Sequence, residues 1–271
     1  MSDQSPNKPL VDVQNSADDR GIPLRHAGIS RLRYPITVWD RSDERQATVG
    51  LFKLTVDLPH NFKGTHMSRF VEALEDHRGE CSLTTMPALV DDLRARLNAE
   101  RAHVHVEFPY FIRRIAPVSG KASSLETNAW FIGDAAEDEA VFTLGVEVPV
   151  MTLCPCSKEI SKYGAHCQRS LARVEVRFRD LIWIEELVEI ADKASSSPLF
   201  PLLKREDEKW VTETSYENPV FAEDLVRNIA QALIADERVT WFYVSAENQE
   251  SIHAHNAFAA VGSDDLPDWR G

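Results

Sequence analysis

Val141-Phe142-Thr143-Leu144-Gly145-Val146-Glu147-Val148-Pro149-Val150 runs directly into Met151-Thr152-Leu153-Cys154-Pro155-Cys156-Ser157-Lys158-Glu159-Ile160-Ser161-Lys162-Tyr163-Gly164-Ala165-His166-Cys167-Gln168-Arg169-Ser170, and then into Leu171-Ala172-Arg173-Val174-Glu175-Val176-Arg177-Phe178-Arg179. The first run is apolar and strand-like. The last alternates strictly between apolar and charged side chains, the pattern of a strand buried on one face. Between the two strands lie Cys154, Cys156 and His166. A rigid strand that delivers thiol and imidazole to its end is a sound base for a metal site. Ser157 to Lys162 has the composition of a short turn that can be helical, and Gly164 suits a residue that reverses the chain in a conformation other residues avoid. Such a reversal would return His166 to Cys154. The spacing is not that of a zinc finger. It fits a three-ligand site with an open position, whose third ligand is a carboxylate or another His. The plainer alternative is that the cysteines are small buried hydrophobes.

Working outward, strands are expected at Gln46–Leu58, Val104–Arg113, Ala129–Ile132 and Val141–Val150, then at Val239–Ala246 and Ile252–Val261. Helices are expected at Ser68–His77, at Thr84–Arg96 with Thr84 as cap and Pro87 in the first turn, and at Ile182–Ala194. A further helix is expected over Pro219–Asp236, with Asn218 as N-cap and Pro219 at the first helical position. The order strand, helix, helix, strand, strand then occurs twice. Phe70-Val71-Glu72-Ala73-Leu74 and Phe221-Ala222-Glu223-Asp224-Leu225 sit at equivalent places in the two rounds. The division expected is a disordered or extended arm over residues 1–30, a first module over 31–140 and a second over 141–271 that carries the metal-site residues.

The chain has 271 residues, 43% of them hydrophobic, and 30 basic against 43 acidic side chains give a net charge of −13. That balance argues against non-specific nucleic-acid binding, which needs a basic surface. A phosphorylated substrate stays possible, because a few local cations reverse the field in a cleft. No run approaches the roughly 20 apolar residues of a membrane helix, and Met1 to Asn15 lacks the order of a signal peptide. The expected compartment is the cytoplasm. Four cysteines in a chain of this length do not make a disulfide framework.

Other residues invite chemistry with a bland alternative beside each. Lys204-Arg205-Glu206-Asp207-Glu208-Lys209 offers three acids, although such a run is usually a solvated loop. His253 and His255 lie two apart on an expected strand and so share a face. Glu223 falls in the first turn of its helix, where a carboxylate favours the helix dipole. It can equally accept two parallel hydrogen bonds from a planar N–H/NH₂ edge such as guanine's.

Together these blocks resemble the type IB GTP cyclohydrolase family, the metal-dependent counterpart of the common type I enzyme. The carrying motifs are Leu153 to Ser161 with Gly164-Ala165-His166 and Gln168-Arg169-Ser170. Supporting them are Gly64 to Phe70, Leu202 to Arg205, Asp207-Glu208-Lys209, Val211-Thr212-Glu213, Tyr216 to Pro219 and Ser251 to His255. The chain departs at Cys167, where the family pattern expects Asn. The resemblance implies an α+β tunnelling fold, two tandem modules of antiparallel sheet with paired helices on one face. It also implies a homotetramer with active sites between subunits, its sheets joined edge to edge. A divalent ion, zinc or manganese with iron as a third option, would be held by Cys154, His166 and Glu208. Cys154 and His253 would be catalytic, and Glu223 would bind the purine. The implied reaction is hydrolysis of GTP at guanine C8 to 7,8-dihydroneopterin triphosphate and formate. Lys158, Lys162, Arg169 and Lys204 are candidates for neutralising the triphosphate. Two alternatives stand beside it: a nitrile reductase of the same fold with Cys154 as nucleophile, and a non-catalytic metal- or redox-responsive protein.

Overall fold

The computed structural model describes residue 14 and residues 16–266, except 42–44, 78, 81, 83–84 and 137–139. Thr84, the expected helix cap, and residues 1–13 of the expected arm lie outside these. The elements run β1 (Leu24–Trp39), β2 (Arg45–Leu58), α1 (Met67–Asp76), α2 (Thr85–Leu97), β3 (Ala102–Ile115), β4 (Ala122–Ala135) and β5 (Ala140–Leu153). They continue as α3 (Pro155–Ile160), β6 (Cys167–Phe178), α4 (Ile184–Ala194), β7 (Ser197–Pro198), α5 (Arg205–Glu217), α6 (Ala222–Ala235), β8 (Val239–Gln249) and β9 (Ala257–Gly262). The strands form one antiparallel sheet in the order β1-β2-β3-β4-β5-β6-β8-β9, with the short β7 paired to β5.

Period-two alternation sets the layering. On β3 every second residue from Ala102 through Val104, Val106, Phe108 and Tyr110 is buried, and on β5 and β6 the same holds for Val146, Val148, Val150, Ala172, Val174 and Val176. Helices α1 and α2 supply Phe70, Leu74, Met86, Leu89 and Leu93 to this face, and α4 and α6 supply Leu187, Val188, Leu225, Ile229 and Leu233. Among the described residues, the opposite face carries no helix. There the Trp130 indole lies across Gly145, where an added Cβ would stand 2.0 Å from the ring, and the Arg173 guanidinium covers it at 4.5 Å.

Several expectations are corrected. Residues 24–30, assigned to the arm, begin β1, which pairs with β2 from Leu24↔Leu58 onward. Asn218 is not the cap of α6: it ends α5, its N–H donating to Thr214 O at 3.0 Å and its Nδ2 to Ser195 O at 2.8 Å. Helix α6 starts at Ala222, with Asp224 Oδ2 accepting from the Phe221 N–H at 3.3 Å. The acidic run at 204–209 opens α5 rather than forming a loop. The last strand starts at Ala257, and residues 251–255 are a bend. Among the described residues, no helix is long and apolar enough to cross a membrane.

The two halves meet through polar contacts as well as the β4–β5 ladder. Tyr110 Oη donates to Glu185 Oε1 at 2.7 Å, and Arg114 Nη2 donates to Asp192 Oδ1 at 2.9 Å. Burial pushes the Asp192 carboxyl up, against the pull of Arg114.

Gly145→Ala should cost about 1–3 kcal/mol, because the added methyl would stand 2.0 Å from the buried Trp130 ring and force it to shift. A urea melt followed by intrinsic fluorescence measures it, and an unchanged midpoint would show that the indole repacks freely.

Candidate functional site

The β5–β6 ladder pairs Met151 with Arg169, Thr152 with Gln168 and Leu153 with Cys167. The next rung places Cys154 opposite His166, and the Cys154 N–H donates to the His166 carbonyl at 3.0 Å. Between them the chain makes α3. Cys154 is its N-cap at φ −68° and ψ 115°, Pro155 fills the first position, and the Cys154 Sγ accepts from the Ser157 N–H at 3.4 Å. Proline suits that position because the N–H it lacks has no partner there. Gly164 reverses the chain at φ +118°, a region other residues avoid, with nothing within 4 Å of an added Cβ.

Ser157 joins the two candidate ligands. Its hydroxyl donates to the Cys154 carbonyl at 3.1 Å and accepts from the His166 N–H at 3.2 Å. The His166 Nδ1 stands 3.1 Å from Gln168 Oε1, and Glu250 Oε2 is 4.0 Å from the same nitrogen. The Glu250 side chain keeps only 9% of its exposure. Below this edge the helix-facing side of the sheet turns polar. Thr152, Ser170 and Asn248 are buried and bonded in a row, Thr152 Oγ1 to Ser170 Oγ at 3.1 Å and Ser170 Oγ to Asn248 Oδ1.

The other predicted residues stand apart from this pair. Glu208 is exposed on the first turn of α5, its backbone N–H bonded to Lys204 O at 2.9 Å and its carbonyl to Thr212 Oγ1 at 2.7 Å. Its neighbour Asp207 is fully buried. Asp207 Oδ1 accepts from the N–H groups of Val118 and Ser119, each at 2.8 Å, and Oδ2 accepts from Ser119 Oγ at 2.6 Å and Lys204 N at 2.8 Å. Burial pushes this carboxyl up, but the bonds from Ser119, Lys204 and Val118 outweigh it and hold it well below the usual carboxylate range. Asp207 thus anchors α5 to the β3–β4 turn.

Glu223 is exposed at the second position of α6, on the rim of a groove lined by Val226, Ala230, Ile234, Ala259 and Val261. The start of α6 is tied to the candidate pair through the Val220 N–H, which donates to Leu153 O at 3.0 Å. His253 and His255 lie exposed in the bend after β8, their rings stacked at 5.2 Å. Among the triphosphate candidates, Lys158 Nζ donates to Tyr216 O and sits 4.5 Å from the Tyr216 ring centre. Lys162 covers its neighbour Tyr163 at 5.2 Å.

The structure therefore brings Cys154 and His166 together and leaves Glu208, Glu223 and His253 outside that contact. Among the described residues, no three His, Cys, Asp or Glu side chains form a group that could hold a metal ion. The two residues whose backbones pair carry donor types that suit one. Cys154 presents sulfur at a helix N-cap, and a His166 Nδ1 bonded to an amide oxygen leaves Nε2 as the free lone pair. Sequence reasoning missed Glu250, Ser157, Gln168 and the structural role of Asp207. The period-two pattern marks Gln168 as buried, but pairing it with a ring two residues away needs the turn geometry.

The family model described as "Type I GTP cyclohydrolase folE2" matches residues 10–259. The chain belongs to that family. The label drawn from the motifs is corrected in its wording: the family is FolE2, which is the type IB enzyme, and the metal dependence written into that label is no part of what the match shows. Proteins named GTP cyclohydrolase FolE2 from Geotalea uraniireducens and Kosmotoga olearia are each 51% identical to it. The alignments cover 94% of both chains for the first, and 93% of this chain and 98% of the other for the second. The uricase of Arthrobacter globiformis superposes with a TM-score of 0.52 at 8% identity, over 88% of this chain and 92% of that one. The urate oxidase of Bacillus subtilis does so with a TM-score of 0.51, over 89% and 100%. At that identity the likeness concerns the fold alone, and it bears out the α+β tunnelling fold expected from the sequence.

In this FolE2 chain, Asp207→Asn should lower stability at neutral pH, because one side-chain acceptor becomes a donor facing N–H groups. The native carboxyl is depressed, so its contribution is present above the unfolded value of about 3.9 and is lost as pH falls through the native value. Urea melts at neutral pH and near pH 3 should show the gap between wild type and variant narrowing in acid. A constant gap would mean the charge contributes nothing.

Proposed function

We propose that this chain hydrolyses GTP at C8 of guanine, releasing formate and forming 7,8-dihydroneopterin triphosphate at the entry to folate-type pterins. The observation that carries the reading is the Cys154–His166 contact, set in a chain about half identical over nearly its whole length to proteins named GTP cyclohydrolase FolE2. None of the relatives named above supports the nitrile reductase or the non-catalytic alternative.

Cys154 Sγ and His166 Nε2 would hold a divalent ion, with Glu208 as third ligand. Bound there, the ion supplies Lewis acidity that makes water nucleophilic near neutral pH. Zinc suits a sulfur and nitrogen donor set, and manganese or iron suits a looser one. Glu223 accepts from guanine N1–H and N2–H₂ together and so fixes which edge of the base faces the pair. His253 moves protons as the C8–N9 and N7–C8 bonds break, since each departing nitrogen needs one.

These groups stand apart on one chain, which supports a site completed between subunits of a homotetramer. The sheet ends at β1 and β9, and pairing those edges with a second copy would close them. Cys154, Cys156 and Cys167 are free thiols, which fits the reducing cytoplasm.

Cys154→Ala and His166→Ala should each abolish formate release and metal retention, while Cys156→Ser should be milder. Glu208→Gln should weaken metal retention, and Glu206→Gln should not. Turnover with metal analysis on the same preparation decides it. Full metal occupancy and activity in Cys154→Ala would sink the assignment.

Glu223→Gln separates an anchor from a helix-dipole charge. As an anchor it should lose about 10²-fold or more in kcat/KM, because the amide presents a donor to a donor. Metal content should stay normal. Near-wild-type kinetics would leave Glu223 as a charge at the start of α6.

A further inference from the structure

Two side chains that the proposed chemistry does not use brace the Cys154–His166 backbone pairing. Ser157 touches both partners: its N–H donates to Cys154 Sγ at 3.4 Å, its hydroxyl donates to Cys154 O at 3.1 Å, and its oxygen accepts from the His166 N–H at 3.2 Å. A hydroxyl has one proton to give and lone pairs to receive, so these bonds are mutually compatible. Together they clamp the start of α3 to the returning strand across the Gly164 reversal. Gln168 acts on the ring. Its side chain is 8% exposed, so the amide has little room to swing, and Oε1 lies 3.1 Å from His166 Nδ1. An amide oxygen accepts and cannot donate, so this pairing is a hydrogen bond in the tautomer with the proton on Nδ1. The lone pair then sits on Nε2.

We propose that Ser157 and Gln168 are positioning residues for metal capture. Ser157 sets the separation of the sulfur from the imidazole, and Gln168 selects Nε2 as the nitrogen that binds. This rests on the reading that Cys154 and His166 hold the ion. A ligand pair without such support samples many arrangements, and each binding event must then order it. A pair already ordered binds more tightly for the same two donor atoms. Loss of an outer partner of this kind typically weakens metal binding 10–100-fold.

A purely structural role makes a different forecast. Ser157 would then be a turn residue and Gln168 a buried strand residue, and their loss would lower the stability of the metal-free chain and leave the intrinsic affinity alone. The test uses full-length protein stripped by a chelator and titrated with Co²⁺, following the thiolate-to-cobalt absorption band, with Zn²⁺ affinity taken from competition against a chromophoric chelator. Ser157→Ala and Gln168→Leu should bind about 10–100-fold more weakly than wild type. Ser157→Thr, which keeps the hydroxyl, and Gln168→Glu, which keeps an acceptor, should stay within a few-fold. Urea melts of the stripped proteins should coincide. If wild type binds and the Ala and Leu variants bind as tightly, the positioning role is wrong and the metal reading stands. The positioning role also fails if the losses only follow a drop in metal-free stability. If wild type itself gives no thiolate band, the metal reading fails and this inference goes with it.

Discussion

The register of β5 against β6 is the constraint on which the candidate site depends. Antiparallel pairing keeps the sum of partner numbers constant, and Leu153↔Cys167 fixes that sum. Continued by one rung, this register brings the backbones of residues 154 and 166 together. Slipping the register by one would turn every buried valine of these strands to the helix-free face. The same apolar stripe that builds the core therefore also pairs the backbones of a cysteine and a histidine. The excursion between them needs only to begin with a proline-started helical turn and end on a residue that tolerates positive φ.

Around that fixed pair the helices distribute the other candidates. Helix α5 lies with its first turn at the β3–β4 connection through Asp207, and Tyr216 near its end meets Lys158 on α3. The start of α6 is joined to β5 through Val220 and Leu153. Backbone geometry thus sets where Glu208 and Glu223 stand, and the acid bonded most heavily in this region, Asp207, is the one that holds the frame.

What the sequence made legible follows from periodicity. The strict alternation of Leu171 to Arg179 and the apolar run at 141–150 gave β6 and β5, and helical spacing gave α1, α2 and α4. The boundaries that failed are those where local chemistry has two solutions. Asn218-Pro219 reads as a helix start, yet the asparagine amide finds Ser195 O and closes the preceding helix instead. Leu24 to Ser30 looks like part of a polar arm because an edge strand buries little: only from Ile36 onward does β1 contribute fully buried residues. Glu206 to Glu208 reads as solvated because charge density carries no sign of the four donors that converge on Asp207. Cys154 and His166 were legible as a pair because one register relates them. The relation of Glu223 and His253 to that pair was not, since no single ladder contains them.

The seam between the halves carries a consequence for the chain's history. Arg114 with Asp192, Tyr110 with Glu185, and Ser119 with Asp207 are matched across it. Removing one member of such a pair leaves a buried group without its partner, which is far more damaging than replacing both together. The halves are therefore bound to be inherited as a set. A chimaera joining the first half of this chain to the second half of a relative with a different seam would keep every strand and helix and still assemble badly, even though each half repeats the plan of the other.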